Sequence, residues 1–486
     1  MNTATEKMTI RYLLIGFISL MMTSMMFGQG QVIVAGTIKH SEYFLANITF
    51  FKDHLQQQEE FVGGILDEEE VFNVQFKIPR PSLVRLEHGN NELELYLEPG
   101  DSIYINFDNW DMEGTLEISG MKRVEQQNKY LLDIAKEMYP YLSGNNAMHF
   151  FRDLNEEEYQ THAEELKRKQ ERFLKTYQRE TAFSSSFLNY VRCEIEYTWA
   201  ASLLNYPAYH QFFNNQENPM IMSEKFYRFL RKVNYLNLYD LNSNAYRDFL
   251  DAFVNHKMEN LPQAANVLHR YFYKNRIKII HDNLNGDALN YMLAQTFISA
   301  YQRGELYELA KDVEDFLMSN ALESYKDVVD SLYKIASTLR PGQIAPNFEL
   351  ETLDGGSMSF SDLKGKVIYV DFWATWCGPC KKEMEHSKKL KEQFRNEDVV
   401  FVYISLDDTK DKDMWQWFVR QNQIEGIHLM AKGGFNSDIA KAYNVTGVPT
   451  YYLIDKNGQI ASNTPKRPSQ PGLAQEIQVI LEFMAD

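Results

Sequence analysis

Two of the three cysteines in the chain, Cys377 and Cys380, are spaced for redox chemistry. An apolar strand pattern precedes Cys377 and an amphipathic helical pattern follows it, so we expect Cys377 to begin a helix. Unpaired backbone N–H groups and the helix dipole stabilise a thiolate at such a position. The first helical turn brings both sulfur atoms within bonding range, and it tolerates the intervening Gly378 and Pro379. The spacing therefore predicts a reversible disulfide between Cys377 and Cys380.

Other roles for a Cys-x-x-Cys pair fit the sequence less well. A zinc site needs a second pair of ligands, but the remaining cysteine is Cys193 and none of the 11 histidines forms a ligand-spaced pair near it. A purely structural role is also disfavoured, because so short a loop removes less chain entropy than the ~3 kcal/mol of a 15-residue loop. Cys193 itself lies in an apolar helical pattern, which is typical of an inert buried thiol.

The segments around the cysteine pair alternate between strand and helix. Strand-like runs lie at 367–372, 399–406 and 450–454, and helical patterns lie at 380–394, 411–421, 436–443 and 472–484. This alternation predicts a C-terminal α/β domain over 339–486 with a partly parallel sheet. A joint of glycine and proline near 340–343 precedes it.

Two further domains are predicted ahead of the α/β domain. Residues 31–120 show period-two alternation, with a turn at 98–102, and indicate a small antiparallel β domain. Residues 121–338 show a period of 3.6 and indicate an all-α domain. Its predicted helices lie at 161–179, 185–204, 223–235, 244–258, 263–283, 287–302 and 305–336. The fold class is therefore multidomain. Aromatic side chains along the predicted helices could line a peptide-binding groove, but core packing is the more frequent role of such residues.

The net charge of the chain limits its partners, and its first 30 residues indicate its location. With 50 basic and 67 acidic residues, the net charge of −17 opposes binding to nucleic acid or to an anionic membrane surface. Lys7 and Arg11 precede an uncharged apolar run at 12–27, a pattern that predicts a signal peptide over 1–30 and export to the periplasm. An uncleaved inner-membrane anchor is the alternative, and only then is membrane contact expected.

Four groups of residues now make a family resemblance specific. They are APNFEL at 345–350, LKGKV at 363–367, VDFWATWCGPC at 370–380, and VPT at 448–450 followed by LIDKNG at 453–458. Together they resemble the extracytoplasmic thioredoxin-like thiol-disulfide oxidoreductases of bacteria, the TlpA/ResA group. The resemblance covers about 340–486 and implies a thioredoxin-like fold that needs no cofactor. The segments ahead of it resemble the N-terminal extensions of such proteins in the Bacteroidetes lineage.

Carried over to matching positions, the resemblance implies individual roles. Cys377 is the exposed nucleophile and Cys380 the buried resolving thiol. Asp371, flanked by apolar residues, matches a buried acid that assists proton removal from the resolving cysteine. Pro449 matches a cis-proline beside which the backbone, including Val448, pairs with an extended substrate.

The resemblance also implies a shell around the cysteines and reveals two departures. The family often has an uncharged residue at the position of Asp371 and a glutamate elsewhere near the cysteines, which leaves the route of the proton open. Trp373 and Trp376 match the aromatic shell, together with Gly378 and Pro379 between the cysteines, and either tryptophan could pack the core or contact substrate. Tyr403 stands where thioredoxin has a lysine that partners the buried acid. Loss of that cation is expected to raise the pKa of Asp371.

The leading hypothesis is a disulfide reductase that acts on protein disulfides and is recharged by an upstream membrane thiol donor. Apocytochrome c awaiting haem is one client that the resemblance implies. A disulfide oxidase or isomerase is an alternative, as is a partner-binding or scaffold protein whose redox module is secondary. A peroxidase would need threonine three residues before its cysteine, where this chain has Ala374.

Overall fold

The computed structural model describes residues 30–57, 59–142, 144–217, 220–234, 240–261 and 271–483. The predicted signal peptide lies outside these residues except for Gly30, as does part of the helix predicted at 263–283. In the part of the chain described, no helix has both the length and the apolar character needed to cross a bilayer. Contacts group the residues into two compact units, the first ending at Leu293 and the second beginning at Ala294. The domain boundaries at 120 and 338 therefore stay predictions.

The first unit begins with two four-stranded sheets. Their strands are β1 (Gln31–Lys39), β2 (Leu45–Phe51), β3 (Glu59–Ile65), β4 (Val71–Lys77), β5 (Ser82–His88), β6 (Asn91–Leu97), β7 (Ser102–Asp108) and β8 (Glu117–Gly120). The orders are β4-β1-β7-β8 and β3-β2-β5-β6. Alternate side chains of both sheets form one buried apolar cluster, as the period-two pattern predicts.

The prediction of a purely antiparallel domain is wrong at one strand pair. β1 and β7 run parallel, with Gly36 opposite Ile105. A Cβ atom at Gly36 would lie 1.8 Å from the Ile105 carbonyl oxygen, so only glycine fits this approach. β7 does not form an antiparallel hairpin with the preceding strand β6, because β6 belongs to the other sheet; β7 pairs with β1 instead. The turn at 98–102 carries the chain across to β1, where the Gly100 N–H donates to the Gln31 carbonyl at 2.9 Å.

The following residues are helical, with some differences from the predicted segments. The helices are α1 (Met112–Thr115), α2 (Lys122–Leu142), α3 (Gly144–Asp153), α4 (Glu156–Glu180), α5 (Ser185–Phe213), α6 (Asn244–Glu259), α7 (Phe272–Asn283), α8 (Gly286–Gln302), α9 (Ala310–Leu317) and α10 (Glu323–Thr338). The helix predicted at 305–336 is interrupted between α9 and α10, where the Ser319 side chain accepts from the Ala321 N–H. The helix predicted at 223–235 is a short 3₁₀ helix, Phe226–Arg231.

The C-terminal residues form a seven-stranded sheet flanked by helices. Its elements are β9 (Glu349–Thr352), β10 (Ser357–Ser359), β11 (Val367–Trp373), α11 (Gly378–Gln393), β12 (Val399–Ser405), α12 (Lys412–Gln421), β13 (Ile427–Met430), α13 (Asp438–Ala442), β14 (Thr450–Ile454), β15 (Ile460–Ser462) and α14 (Leu473–Phe483). The strand order is β10-β9-β13-β12-β11-β14-β15. The strands β13, β12 and β11 are parallel and the other pairs are antiparallel, so the predicted partly parallel sheet is observed.

Strand β11 positions the site because it is buried on both faces. Ile368, Val370 and Phe372 pack into one apolar cluster, whereas Val367, Tyr369 and Trp373 pack into a second cluster that contains both cysteines. Because side chains alternate along a strand, Asp371 points to the cysteine side of the sheet.

Candidate active site

Cys377 and Cys380 form a disulfide at the start of α11, with their Cα atoms 5.4 Å apart. Cys377 is the N-cap residue of this helix, and its Sγ accepts a hydrogen bond from the Cys380 N–H at 3.1 Å. Pro379 lies in the first turn, where a missing N–H leaves no helical partner unsatisfied. The strand-to-helix placement predicted from the sequence is observed. A thiolate at Cys377 would face the positive end of the helix dipole.

The prediction that Cys377 is exposed needs correction. Cys377 keeps 4% of its surface accessible and Cys380 keeps none. The Cys377 sulfur is bonded to Cys380, and both residues belong to a buried cluster with Trp373 and Tyr451. The order of accessibility is nevertheless the predicted one, because Cys377 is the more accessible of the two cysteines.

The two tryptophans ahead of the cysteines have separate positions. Trp373 is fully buried, and its ring centroid lies 5.7 Å from that of Phe418 on α12. Trp376 is 61% exposed, and its ring centroid lies 6.2 Å from that of Phe435. Trp373 therefore packs the core, whereas Trp376 offers an aromatic surface beside Cys377.

The peptide bond between Val448 and Pro449 is cis and lies directly ahead of β14. Val448 is half-buried and packs against the cluster that contains both cysteines. Pro449 is thus held in the same part of the domain as the disulfide. This is the arrangement that the family resemblance implies for a substrate-binding segment.

Asp371 is a buried acid beneath the cysteines, with 2% of its surface exposed. Its Oδ1 atom has no hydrogen-bond partner among the described residues. Burial raises the pKa of Asp371 well above its usual range; the negative charge of Glu383 raises it further and the positive charge of Lys391 lowers it. The carboxyl group is therefore suited to hold a proton at a pH where an ordinary aspartate is ionised.

Sequence reasoning missed Glu383 and Lys391, the two charged residues that act on Asp371. Glu383 accepts hydrogen bonds from the Ser469 N–H at 2.9 Å and the Ser469 hydroxyl at 2.8 Å. Lys391 is buried, and its Nζ donates to the Glu425 carbonyl at 2.7 Å. The signal for Lys391 was available, because it lies eleven residues after Cys380 and so on the same face of α11.

Tyr403 lies opposite Asp371 in the pairing of β11 with β12. Its hydroxyl lies 3.1 Å from the Ser387 hydroxyl, and the Lys391 Nζ lies 5.2 Å from the centre of its ring. Tyr403 thus occupies the strand position where thioredoxin has a lysine, and Lys391 of α11 supplies a positive charge that acts on Asp371 instead. The pKa of Asp371 is raised, as expected, but burial is the main cause.

A Cys-x-x-Cys disulfide at the start of a helix, a cis-proline and a buried acid below the cysteines together define a thioredoxin-like redox domain. The sequence pattern of the AhpC/TSA family matches residues 341–463. The "Thioredoxin-like protein YneN" of Bacillus subtilis is 35% identical over 122 residues, which are 25% of this chain and 69% of that protein. The chain belongs to the thioredoxin-like family.

Two other proteins are similar to part of this chain. "Thiol-disulfide oxidoreductase ResA" of Bacillus thuringiensis is 35% identical over 119 residues, which are 24% of this chain and 66% of ResA. The chain thus spans just under two thirds of the length of ResA. The crystal structure of a proposed thiol-disulfide oxidoreductase from Bacteroides vulgatus is 31% identical, with 30% of this chain and 99% of that one covered and a TM-score of 0.28. The predicted resemblance to the ResA group is confirmed.

Proposed function

We propose that the chain is an extracytoplasmic thiol-disulfide oxidoreductase that reduces disulfides of protein substrates. The observation that carries the proposal is the Cys377–Cys380 disulfide, whose more accessible sulfur lies at the start of α11. The names of the ResA relatives support the same chemistry. A peroxidase is disfavoured because its threonine position holds Ala374, which is fully buried and has no hydroxyl group.

In the proposed reaction, the Cys377 thiolate attacks one sulfur of a substrate disulfide. A mixed disulfide forms and the other substrate sulfur leaves as a thiolate. The Cys380 thiol then loses its proton to Asp371 and attacks the Cys377 sulfur, which releases the second substrate sulfur. The substrate gains two electrons and the cysteine pair becomes a disulfide. A thiol donor must return two electrons in each cycle.

The remaining site residues contact or orient the substrate in this proposal. Trp376 offers an exposed ring beside Cys377, and the backbone at Val448 and Pro449 pairs with an extended segment of substrate. Gly378 and Pro379 set the short link between the cysteines. They form the Gly-Pro dipeptide of thioredoxin, which favours the reducing end of a potential range about 150 mV wide.

The proposed location is the periplasm, after export by the predicted signal peptide or with that segment retained as a membrane anchor. A membrane thiol donor supplies electrons in this scheme, and apocytochrome c is a client that the family resemblance implies. A scaffold whose redox module is secondary stays an alternative because the first unit, up to Leu293, has no assigned task.

Insulin reduction with dithiothreitol as the electron donor tests the proposed activity. We expect catalytic turbidity from the full chain and none above background from Cys377→Ser. Cys193→Ala is the matched control, because it removes the cysteine of α5 and should keep full activity. If Cys377→Ser loses insulin reduction but keeps its function in cells, that result would favour the scaffold alternative. A strongly oxidising Cys377–Cys380 potential would replace the reductase by an oxidase.

A further inference from the structure

Asp407 is a second buried acid of the C-terminal unit, and the mechanism above does not use it. It follows β12 and has no exposed surface. The ion pairs of the described residues include none with Asp407. A buried carboxylate without a cation is costly unless hydrogen-bond donors surround it. The groups that donate hydrogen bonds to the Asp407 carboxylate therefore identify the part of the chain that this side chain holds in place.

Most of these hydrogen bonds come from one residue, Thr375. The Thr375 N–H lies 3.1 and 3.0 Å from the two carboxylate oxygens, and its hydroxyl donates to Oδ1 at 2.6 Å. Ser405 donates to Oδ2 at 2.7 Å, and its oxygen accepts from the Asp407 N–H at 3.1 Å. The carboxylate thus holds Thr375 by both backbone and side chain, while Ser405 holds the carboxylate.

Thr375 is the middle residue of the loop that presents the nucleophile. It lies two residues before Cys377 and directly before the exposed Trp376. The adjacent hydrogen bond from the Cys377 N–H to the Ala374 carbonyl, at 3.0 Å, closes the turn into α11. Because hydrogen bonds to a charged group are stronger than neutral ones, the Asp407 contact is the strongest polar restraint on Thr375.

We propose that Asp407 is a positioning residue for the Cys377 nucleophile, which it orients by holding Thr375. The inference rests on the proposed function. Asp407 neither gives nor takes a proton in the attack; it fixes the loop from which Cys377 forms a bond to the substrate sulfur. Asp371 has a different place, on β11, and acts on the later attack by Cys380. Loss of the Asp407 contact should therefore slow formation of the mixed disulfide and leave its release unchanged.

The test uses the full chain with Thr375→Val, which keeps the side-chain shape and removes the hydroxyl donor. Stopped-flow mixing of the reduced protein with 5,5′-dithiobis(2-nitrobenzoate) measures attack by Cys377 and release by Cys380 as successive phases. We expect attack by Cys377 to be slowed about tenfold, because one hydrogen bond to a charged group is lost. Release by Cys380 should be unaltered. Thr375→Ser keeps the hydroxyl and should restore the rate. Thr352→Val is the matched control, because it removes one loop hydrogen bond, from the Gly356 N–H, in the hairpin of β9 and β10.

The outcomes separate this inference from the proposed function. If the unmodified protein attacks the probe rapidly and Thr375→Val attacks it equally fast, the positioning role is overturned. Equal slowing of both phases would also overturn it, because that result indicates a general structural defect. If the unmodified protein does not attack the probe, the proposed function itself fails. Should Thr375→Val not fold, Asp407→Asn serves instead and is expected to slow attack selectively.

Discussion

Asp371 is the single buried residue to which the proposed mechanism assigns proton transfer at the cysteines. Its side chain points to the cysteine side of the sheet, and burial raises its pKa well above the usual range. A carboxylate with a raised pKa is a stronger base, so it can accept the proton of a thiol and later return it to solvent. A carboxyl group with an ordinary pKa would remain ionised throughout the cycle and would be a weaker base.

The first prediction at this scale concerns Asp371→Asn. The amide cannot accept the Cys380 proton, so release of the mixed disulfide should be slowed roughly 100-fold, within the range of general acid–base catalysis. Attack by Cys377 should change much less, because that step uses a preformed thiolate. Stopped-flow kinetics of both phases provides the measurement. Equal effects on attack and release would refute the assigned role.

The free energy of unfolding of Asp371→Asn tests independently whether the pKa of Asp371 is raised. A carboxyl group whose pKa is raised in the folded state stabilises the fold fully below its unfolded pKa of about 3.9. That stabilisation is lost as the pH rises through the folded pKa. Asp371→Asn should therefore gain stability relative to the unmodified protein between pH 4 and pH 8. Urea unfolding at both pH values measures the difference, and a pH-independent difference would mean that the pKa of Asp371 is not raised.

At the scale of elements, α11 supplies more than the cysteines. Its buried face carries Cys380, Met384, Ser387 and Lys391, which contact or face the strands at the centre of the sheet. Lysine on such a face is unusual because burial penalises its charge, and its pKa is lowered accordingly. The compensating interactions are the Glu425 carbonyl, the Tyr403 ring and the charge of Asp371.

The prediction at this scale is that Lys391→Met raises the pKa of Asp371 further, because Lys391 is the cation that lowers it. Asp371 would then be deprotonated only at higher pH. The midpoint of the pH profile for mixed-disulfide release should move upward, and the rate at neutral pH should fall by up to about tenfold. Lys389→Met, on the exposed face of the same helix, is the control and should leave the profile unchanged. A profile identical to that of the unmodified protein would disprove the coupling.

Elements with strong local signals could be predicted from the sequence, whereas those set by distant contacts could not. β11 and α11 lie within two residues of their predicted bounds, because an apolar run and a proline in the first turn define them locally. The parallel pairing of β1 with β7 joins residues about 70 positions apart, so no local pattern shows it. The spacing of Lys391 from Cys380 gives the face of α11 on which it lies, but its effect on Asp371 and its contact with Tyr403 depend on other elements.

At the scale of the whole molecule, the chain forms two compact units, and the redox site belongs entirely to the second. The third cysteine, Cys193, is buried in α5 of the first unit, as the sequence predicts. Four of the six tryptophans lie after Ala294, so intrinsic fluorescence reports mainly on the second unit. The disulfide and most of the fluorescence signal therefore report on the same unit.

This division predicts two thermal unfolding transitions, of which only one responds to reduction. A disulfide that closes so short a loop contributes about 2 kcal/mol by limiting the unfolded chain, so reduction should lower one transition by several degrees. Calorimetry of the oxidised and reduced full chain measures both transitions, and tryptophan fluorescence should follow the one that moves. Cys193→Ala should respond to reduction in the same way, because Cys193 lies in the other unit. A single transition would show that the two units unfold together, contrary to this prediction. Equal shifts of two transitions would show that reduction of the disulfide changes the stability of both units.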